Sequence, residues 1–397
     1  MNGVLTLPRK RIRVAQIVTR FIAGAGGVAL RGAEGLDPEH YEVVILTAPG
    51  GPLVDQARAR GFEVLLLRHM QSELAPRDDV AGVRELRALL EVGRFDLVHT
   101  HSAKAGAIGR IAAHQVGVPA VIHTFHGFPF HDFQSPLRRA AYINIERRLG
   151  RVTDRIIAVS SSVAAETVRL GIAPAERVRV IPVSIDDRSV ERTAASRSAA
   201  RKTIGIGDDV PVVGTVGRLD YQKAPGHFLE AMQQLRRTDA IGVWIGGGPL
   251  REETEQTARK MGMHGRIRFL GERDDVPALL PAFDVFLMTS LYEGLPCAAV
   301  EAMQCGLPVV ATAVNGVPEI VMPGETGLLV PPARPPAAAR AVDHLLDHPE
   351  QSLRMGENAR RSVRGRFTAS ETASALASLY QETLSESREL AVLPAAS

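Results

Sequence analysis

Short apolar, β-branched runs alternate with longer helix-like stretches along almost the whole chain. In the first half the runs are 12–18, 42–48, 62–67, 96–100, 118–124, 156–159 and 178–181. They are apolar nearly throughout rather than at every second position, which predicts strands covered on both faces, and such strands alternating with helices predict a parallel sheet. The pattern lapses from Val183 to Asp209, where Ser, Arg and Ala dominate, and restarts with 212–216, 242–245, 266–270, 285–288, 309–311 and 328–330. The expected class is α/β, with two doubly wound parallel-sheet domains at 1–185 and 210–366 joined by a connection at 186–209. A terminal helix is expected over 367–388, with the residues from Glu389 onward loose.

Composition narrows the class of function. At 397 residues with 45% hydrophobic content, the chain exceeds the size at which one core stops growing, so two domains are the default. A formal charge of +3, nearly balanced over the whole chain, gives no case for nucleic-acid binding. Cys297 and Cys305 fall two helical turns apart, too far to bridge, which points to a reducing, cytoplasmic compartment. No apolar run reaches the length of a membrane span, and the N-terminus is polar and basic without the apolar core of a signal peptide.

Doubly wound sheets bind ligands beyond the carboxyl ends of their strands, and the chemistry-bearing segments fall there. Glu293 and Glu301 stand in Ser290-Leu-Tyr-Glu-Gly-Leu-Pro-Cys-Ala-Ala-Val-Glu-Ala-Met303, one on the loop after a strand and one inside the following helix. Pro296 suits the first helical position, and the amides around it would receive phosphate beside two carboxylate acceptors for hydroxyl groups. Phosphate beside a polyol means a sugar nucleotide. A solvated pair of glutamates is the plain alternative, and the small residues Gly294, Ala298, Ala299 and Ala302 argue against it. Arg218 and Lys223, just beyond the first strand of the second domain, would suit a diphosphate whose charge grows as it leaves.

Gly24-Ala-Gly-Gly27 follows the first strand of the chain, but the next strand ends Ile45-Leu-Thr-Ala48 without the acid that grips a ribose, so nicotinamide binding is disfavoured. Five of the twelve histidines, His99, His101, His123, His126 and His131, crowd into 33 residues. No cysteine and no helical His-Glu pair accompanies them, which argues against zinc. A structural role is expected for most of them; His126, between Phe125 and Gly127-Phe128 at a strand end, is the candidate for the site.

Over about 370 of the 397 residues the chain resembles the retaining glycosyltransferases of family 4, whose GT-B architecture sets two Rossmann-like domains across a cleft. The resemblance is carried by Gly214-Thr-Val-Gly-Arg-Leu-Asp-Tyr-Gln-Lys223, Ser290-Leu-Tyr-Glu-Gly-Leu-Pro296, Glu301-Ala-Met-Gln-Cys-Gly-Leu-Pro-Val-Val-Ala311 and Gly316-Val-Pro-Glu319. His99-Thr-His-Ser-Ala-Lys-Ala-Gly106 and His123-Thr-Phe-His-Gly-Phe128 are similar to a bacterial subgroup that builds surface polysaccharides and lipid-linked oligosaccharides.

The resemblance implies that Glu301 binds ribose hydroxyls and that Glu293, with Gly294, Leu295 and Pro296, holds the donor sugar and phosphate. It implies that Arg218 and Lys223 neutralise the diphosphate, that Gly246, Leu270 and Arg273 lie near the base, and that Gly26 and Gly27 let backbone approach the phosphates. His126 would lie close to the anomeric carbon. Neither a metal ion nor a cofactor is implied, only a nucleotide-sugar co-substrate, UDP-linked by preference. The implied reaction is transfer with retention to a glycan, lipid-linked by preference, in polysaccharide biosynthesis. A natural-product acceptor and a nucleotide-sugar epimerase of the same architecture are the alternatives.

Three departures stand out. Ala224-Pro225 follow Lys223 where the family usually shows glycine, Ile181-Pro-Val-Ser-Ile-Asp186 lacks the Asn-Gly often seen before the corresponding Val/Ile-Asp, and Gly246-Gly-Gly-Pro249 has glycine where many relatives carry an acid. Arg138, Arg139, Arg147, Arg148, Arg151 and Arg155 line a predicted helix and its exit, and Pro8-Arg-Lys-Arg-Ile-Arg13 adds charge. They read equally as a peripheral site for an anionic membrane surface at its inner face and as a solvated face paired with Glu146 and Asp154. A terminal helix that returns to the first domain would make a hinge, with closure expected on donor binding.

Overall fold

A computed structural model describes residues 11–22, 24–71, 73, 75–185 and 188–392. Pro8, Arg9 and Lys10 of the basic N-terminal segment, and Asp186 and Asp187, lie outside it. The chain divides into two compact units, Met1–Ser184 with Thr368–Ser397, and Ile185–Phe367.

The first unit runs β1 (Ile12–Val18), α1 (Ala25–Glu34), β2 (Tyr41–Thr47), α2 (Pro52–Ala59), β3 (Glu63–Leu66), α3 (Pro76–Gly93) and β4 (Leu97–His101). It continues with α4 (Ala103–Val116), β5 (Ala120–Phe125), α5 (Pro136–Gly150), β6 (Arg155–Ala158), α6 (Ser161–Arg169) and β7 (Val178–Val180). The strands form one parallel sheet of order β3-β2-β1-β4-β5-β6-β7. The order reverses between β1 and β4, which marks the crevice where such sheets receive ligands.

The second unit begins with α7 (Ala194–Thr203), then β8 (Val212–Val216), α8 (Pro225–Gln233), β9 (Ile241–Ile245), α9 (Arg251–Lys260), β10 (Ile267–Gly271) and α10 (Val276–Leu279). It ends with β11 (Val285–Met288), α11 (Cys297–Cys305), β12 (Val309–Thr312), β13 (Gly327–Val330), α12 (Pro335–Asp347) and α13 (Pro349–Val363). Its parallel sheet has the order β10-β9-β8-β11-β12-β13, reversing between β8 and β11. Trp244, 1% exposed, packs edge-on against Phe228 with ring centroids 5.3 Å apart.

Every expected strand is present, with ends at or within two residues of those expected. Asp96 was expected to open a strand, but its carboxylate accepts the backbone N–H of Arg13, and β4 starts at Leu97 and runs to His101. The stretch read as a connection carries a helix: α7 opens with a capping box between Thr193 and Ser196. Arg192, Arg197 and Arg201 all reach the carboxylate of Asp284, at 2.7, 3.2 and 2.7 Å. An arginine as the buried residue of a helix hides it from an apolar-periodicity reading, because Arg201 is fully buried yet polar.

The last helix, α14 (Ala369–Val392), belongs to the first unit. Leu376, Leu379, Tyr380 and Leu384 enter a core with Val14, Leu97 and Ile122. A Cβ on Gly35 would meet the Ala373 Cβ at 2.4 Å, so α1 and α14 approach as closely as a glycine permits. The helix runs past Arg388, where loose chain was expected; no glycine or proline interrupts it before Pro394.

Candidate active site

In the second unit the candidate residues gather at the carboxyl ends of β8 and β11, the two strands flanking the reversal. The loop after β8 is fixed by backbone: Gly217 N–H donates to Ile245 O at 2.9 Å and Leu219 N–H to Gly247 O at 2.7 Å. The Trp244 indole N–H adds a bond to Gly217 O at 2.8 Å. Gly246 has φ 136° and a Cβ there would lie 2.1 Å from Gly217 O, so no other residue fits.

Lys223 Nζ sits 2.5 Å from Glu293 Oε1, with the Glu293 side chain 5% exposed. Gln222 Nε2 donates to Tyr292 O at 3.0 Å and to Glu293 Oε2 at 3.3 Å, and the Glu293 N–H donates to Asn315 Oδ1 at 2.9 Å. Gly316 N–H reaches Gly294 O at 3.1 Å. The loop after β8 thus holds the Glu293 carboxylate, and the loop after β12 holds the backbone on either side of it. Sequence reasoning gave Lys223 and Glu293 separate tasks; the structure joins them as an ion pair. It overlooked Asn315, whose φ of 41° and following glycine are a recognisable turn signal. Burial first, then Asp220 and further neighbouring groups, push the Tyr292 phenol up to about 12, so it stays a neutral hydroxyl.

Pro296 is the residue before α11 rather than its first residue, extended at φ −79° and ψ 99° with no side-chain cap. This corrects the expected start by one position. The helix N-terminus follows the same loop; the Ala299 and Val300 N–H groups donate to the Pro296 carbonyl at 3.1 and 3.2 Å, and those of Cys297 and Ala298 precede any helical acceptor. Leu295 and Gly294 are buried, while Glu301, the fifth residue of α11, is half-buried. Arg218 is exposed, 3.5 Å from Asp220, and Arg273 is exposed and doubly bonded to Asp275 at 2.7 and 2.6 Å. Leu270, the last but one residue of β10, is half-buried.

Ala224, where the family usually has glycine, holds φ 48° as the residue before α8, with Thr289 Oγ1 bonding its carbonyl at 3.3 Å. A left-handed alanine costs ~1–2 kcal/mol, and glycine gives back part of this through the unfolded chain, so Ala224→Gly is expected to stabilise by about 0.5–1 kcal/mol. Urea denaturation reads it directly. An unchanged or lowered midpoint would refute the strain.

In the first unit, Gly26 and Gly27 lie in the first turn of α1, which Gly24 opens at φ 80° without a side-chain cap. A Cβ on Gly26 would sit 3.3 Å from the backbone of Arg20 and Phe21. Thr19 Oγ1, at the end of β1, bonds Ser102 Oγ at 2.7 Å and accepts the Ala105 N–H at 2.9 Å, joining that strand end to the start of α4.

The histidines separate by role. His99 bonds Tyr380 Oη at 2.6 Å through Nδ1 and Thr124 Oγ1 at 2.7 Å through Nε2. His123 bonds Thr100 Oγ1 at 2.8 Å. His101, the last residue of β4, meets His126, the first after β5, with 3.0 Å between Nδ1 and Nε2. His131 is half-buried on the loop beyond. Among the described residues no three His, Cys, Asp or Glu are gathered as a metal site. Tyr380, on the last helix, was not foreseen, because nothing in the local sequence ties it to a histidine 281 residues away.

Burial lowers His99 to about 3 and His126 to about 4, and holds His101 and His123 well below the usual range. A histidine depressed on folding binds its proton more readily when unfolded, so stability falls as pH drops below about 6.5. His99 alone is expected to cost about 2 kcal/mol between pH 7.5 and pH 5. Urea midpoints across that range measure it; a flat profile would contradict the burial.

The arginines of α5 and its exit do not pair with Glu146 and Asp154 as the solvated-face reading had it. Glu146 is buried against Arg110 at 2.8 Å, and Asp154 accepts the Val121 N–H at 2.7 Å. Arg155 is drawn inward to Glu386 of α14, and Arg147 to the Leu170 carbonyl at 2.6 Å. Arg138, Arg148 and Arg151 remain exposed beside Leu137, 83% exposed, Ile145 and Phe133. No helix of the described residues is long and apolar enough to cross a membrane.

The chain matches two family models, a glycosyl transferase 4-like domain over residues 23–184 and glycosyl transferases group 1 over residues 196–362. It is 31% identical to a UDP-Gal:alpha-D-GlcNAc-diphosphoundecaprenol alpha-1,3-galactosyltransferase of Escherichia coli, over 77% of this chain and 80% of that one. It is 32% identical to a D-inositol 3-phosphate glycosyltransferase of Catenulispora acidiphila, over 86% and 82%. Among solved structures it resembles Anabaena HepE, crystallised with UDP and glucose, at TM-score 0.82 and 20% identity over 94% of this chain and 100% of that one. WaaG, a glycosyltransferase involved in lipopolysaccharide biosynthesis, matches at TM-score 0.74 and 19% identity over 91% and 98%. With its two Rossmann-like units and these matches over both, the chain belongs to the family 4 glycosyltransferases of GT-B fold.

Proposed function

We propose that the protein transfers a hexosyl group, with retention and without a metal ion, from a UDP-sugar to a hydroxyl of a lipid-linked glycan. The observation that carries the donor side is the cluster at the β8 and β11 ends: two cations, a buried carboxylate and a helix N-terminus within one unit. Arg218 and Lys223 take up the diphosphate charge that grows as the bond to the sugar breaks, the part a metal ion plays elsewhere. Once phosphate competes for Lys223, Glu293 turns to the sugar hydroxyls, and Glu301 holds the ribose. Its neutral ring makes His126 an orienting group for the sugar rather than a nucleophile, and the departing diphosphate accepts the proton of the incoming hydroxyl.

The acceptor class is supported by the galactosyltransferase relative, whose name specifies a diphosphoundecaprenol acceptor, and by the exposed Leu137, Ile145 and Phe133 among arginines, a face suited to anionic lipid at the inner membrane surface. A small polyol acceptor is the second reading, favoured by the inositol-phosphate relatives. A screen of UDP-, GDP- and ADP-sugars for hydrolysis and for transfer to polyprenyl-diphosphate glycans and to inositol phosphate tests both. UDP-sugar turnover with an α-linked product from an α-linked donor is expected; an inverted product defeats retention, and no turnover of any nucleotide sugar defeats the reading. Binding to anionic liposomes at low salt is expected to weaken in Leu137→Ser, and equal binding would separate the face from the membrane.

A further inference from the structure

We propose that His101 is a positioning residue that fixes the tautomer of His126, so that His126 presents Nδ1–H as a donor to the bound sugar. The proposal rests on the reading of His126 as a sugar contact, but the proton's location follows from the fold alone. The two rings are 3.0 Å apart at Nδ1 of His101 and Nε2 of His126. Among the described residues no carboxylate bonds either ring; the titratable neighbours are His99, tilted against His101 with ring centroids 4.1 Å apart, and His123, with Arg110 beyond it. Burial, joined at His101 by the neighbouring histidine rings, keeps both imidazoles neutral at pH 7, and one proton lies between them.

Which ring owns that proton is decided by the far side of His101. Its Nε2 is buried, and no polar group among the described residues lies within hydrogen-bonding reach. A proton on that nitrogen would be a buried donor without an acceptor, whereas a bare lone pair is tolerated at much lower cost. The proton of His101 is therefore on Nδ1, donated to His126 Nε2. His126 must then carry its own proton on Nδ1. The second-neighbour contacts hold this arrangement in place: β4 and β5 pair in register, with His101 opposite Thr124, and Thr124 is itself tied to His99 at 2.7 Å. A donor N–H serves a sugar oxygen and cannot serve as a general base, which fits the orienting part given to His126.

The test is two-bond 15N–1H correlation on the full-length protein labelled with 15N-histidine, at pH 7.5, with His126 assigned from the signal lost in His126→Gln. Wild type is expected to show His126 protonated at Nδ1 and bare at Nε2. In His101→Phe, which keeps the volume and removes the donor, the His126 Nε2–H form should appear. His101→Asn places an amide donor where Nδ1 stood and should keep the Nδ1–H form. With a UDP-sugar, His101→Phe is expected to lower kcat roughly tenfold or more at unchanged donor KM, and His101→Asn to stay within about threefold of wild type. An Nε2–H tautomer of His126 in the wild type overturns the proposal whatever the enzyme's activity. An unchanged tautomer in a folded His101→Phe overturns the role of His101. Failure of transferase activity leaves the spectroscopic result to stand by itself.

Discussion

Replacing Lys223 by alanine is expected to reduce nucleotide-sugar turnover roughly 100- to 1,000-fold, the range seen when one preorganised charge is removed from a developing anion. The loss should fall mainly on kcat, because the leaving diphosphate gains charge only as the bond breaks. The ammonium is 2.5 Å from Glu293 Oε1 in the ligand-free protein, so the same substitution leaves a nearly enclosed carboxylate with Gln222 as its remaining side-chain donor. Glu293→Gln separates the two tasks. It removes the charge that holds Lys223 while keeping an amide that can meet sugar hydroxyls, and it should weaken donor binding more than Lys223→Ala does. A double-mutant cycle reads the coupling between them, which contact at this distance makes non-additive. Wild-type kcat in a folded Lys223→Ala would remove this lysine from the chemistry.

Glycine positions and strand ends were legible in the sequence for a physical reason. Buried parallel strands demand continuous apolar runs, and the loops beyond them demand the glycines that a close backbone approach requires, as at Gly246. Lys223 and Glu293 were both legible as residues, but their mutual contact was not, because it depends on how loops from non-consecutive strands β8 and β11 are set side by side. Tyr380 was missed for the same reason, since its partner His99 stands in the middle of a strand 281 residues away. Arg201 misled the reading in the opposite direction, since a fully buried guanidinium looks like a solvent-facing residue in any hydropathy pattern. Local pattern reports which face of an element is buried. It does not report which polar group the burial has been arranged to satisfy.

Glu146→Leu is expected to destabilise the first unit by about 3–5 kcal/mol, the cost of stranding a buried charge, and chemical denaturation measures it. Arg110 is fully buried on α4, bonded to Glu146 of α5 at 2.8 Å and to the Gly106 carbonyl at 2.7 Å. With Glu146 gone, burial has no opposing carboxylate to set against it. Arg110→Met with Glu146→Leu removes both charges and should recover most of the stability at pH 7.5, since a buried pair seldom outweighs the desolvation it requires. The pair would then have a use other than stability, and His123 indicates what it is. A Cβ on Gly106 would lie 2.5 Å from the His123 ring, with the Arg110 guanidinium next to it, and that cation adds to burial in keeping His123 unprotonated. Removing Arg110 raises the folded-state proton affinity of His123 toward its unfolded value. Less stability should therefore be lost below pH 6.5 in the double variant than in wild type. Parallel pH profiles for the two proteins would show that Arg110 has no hold on the histidine.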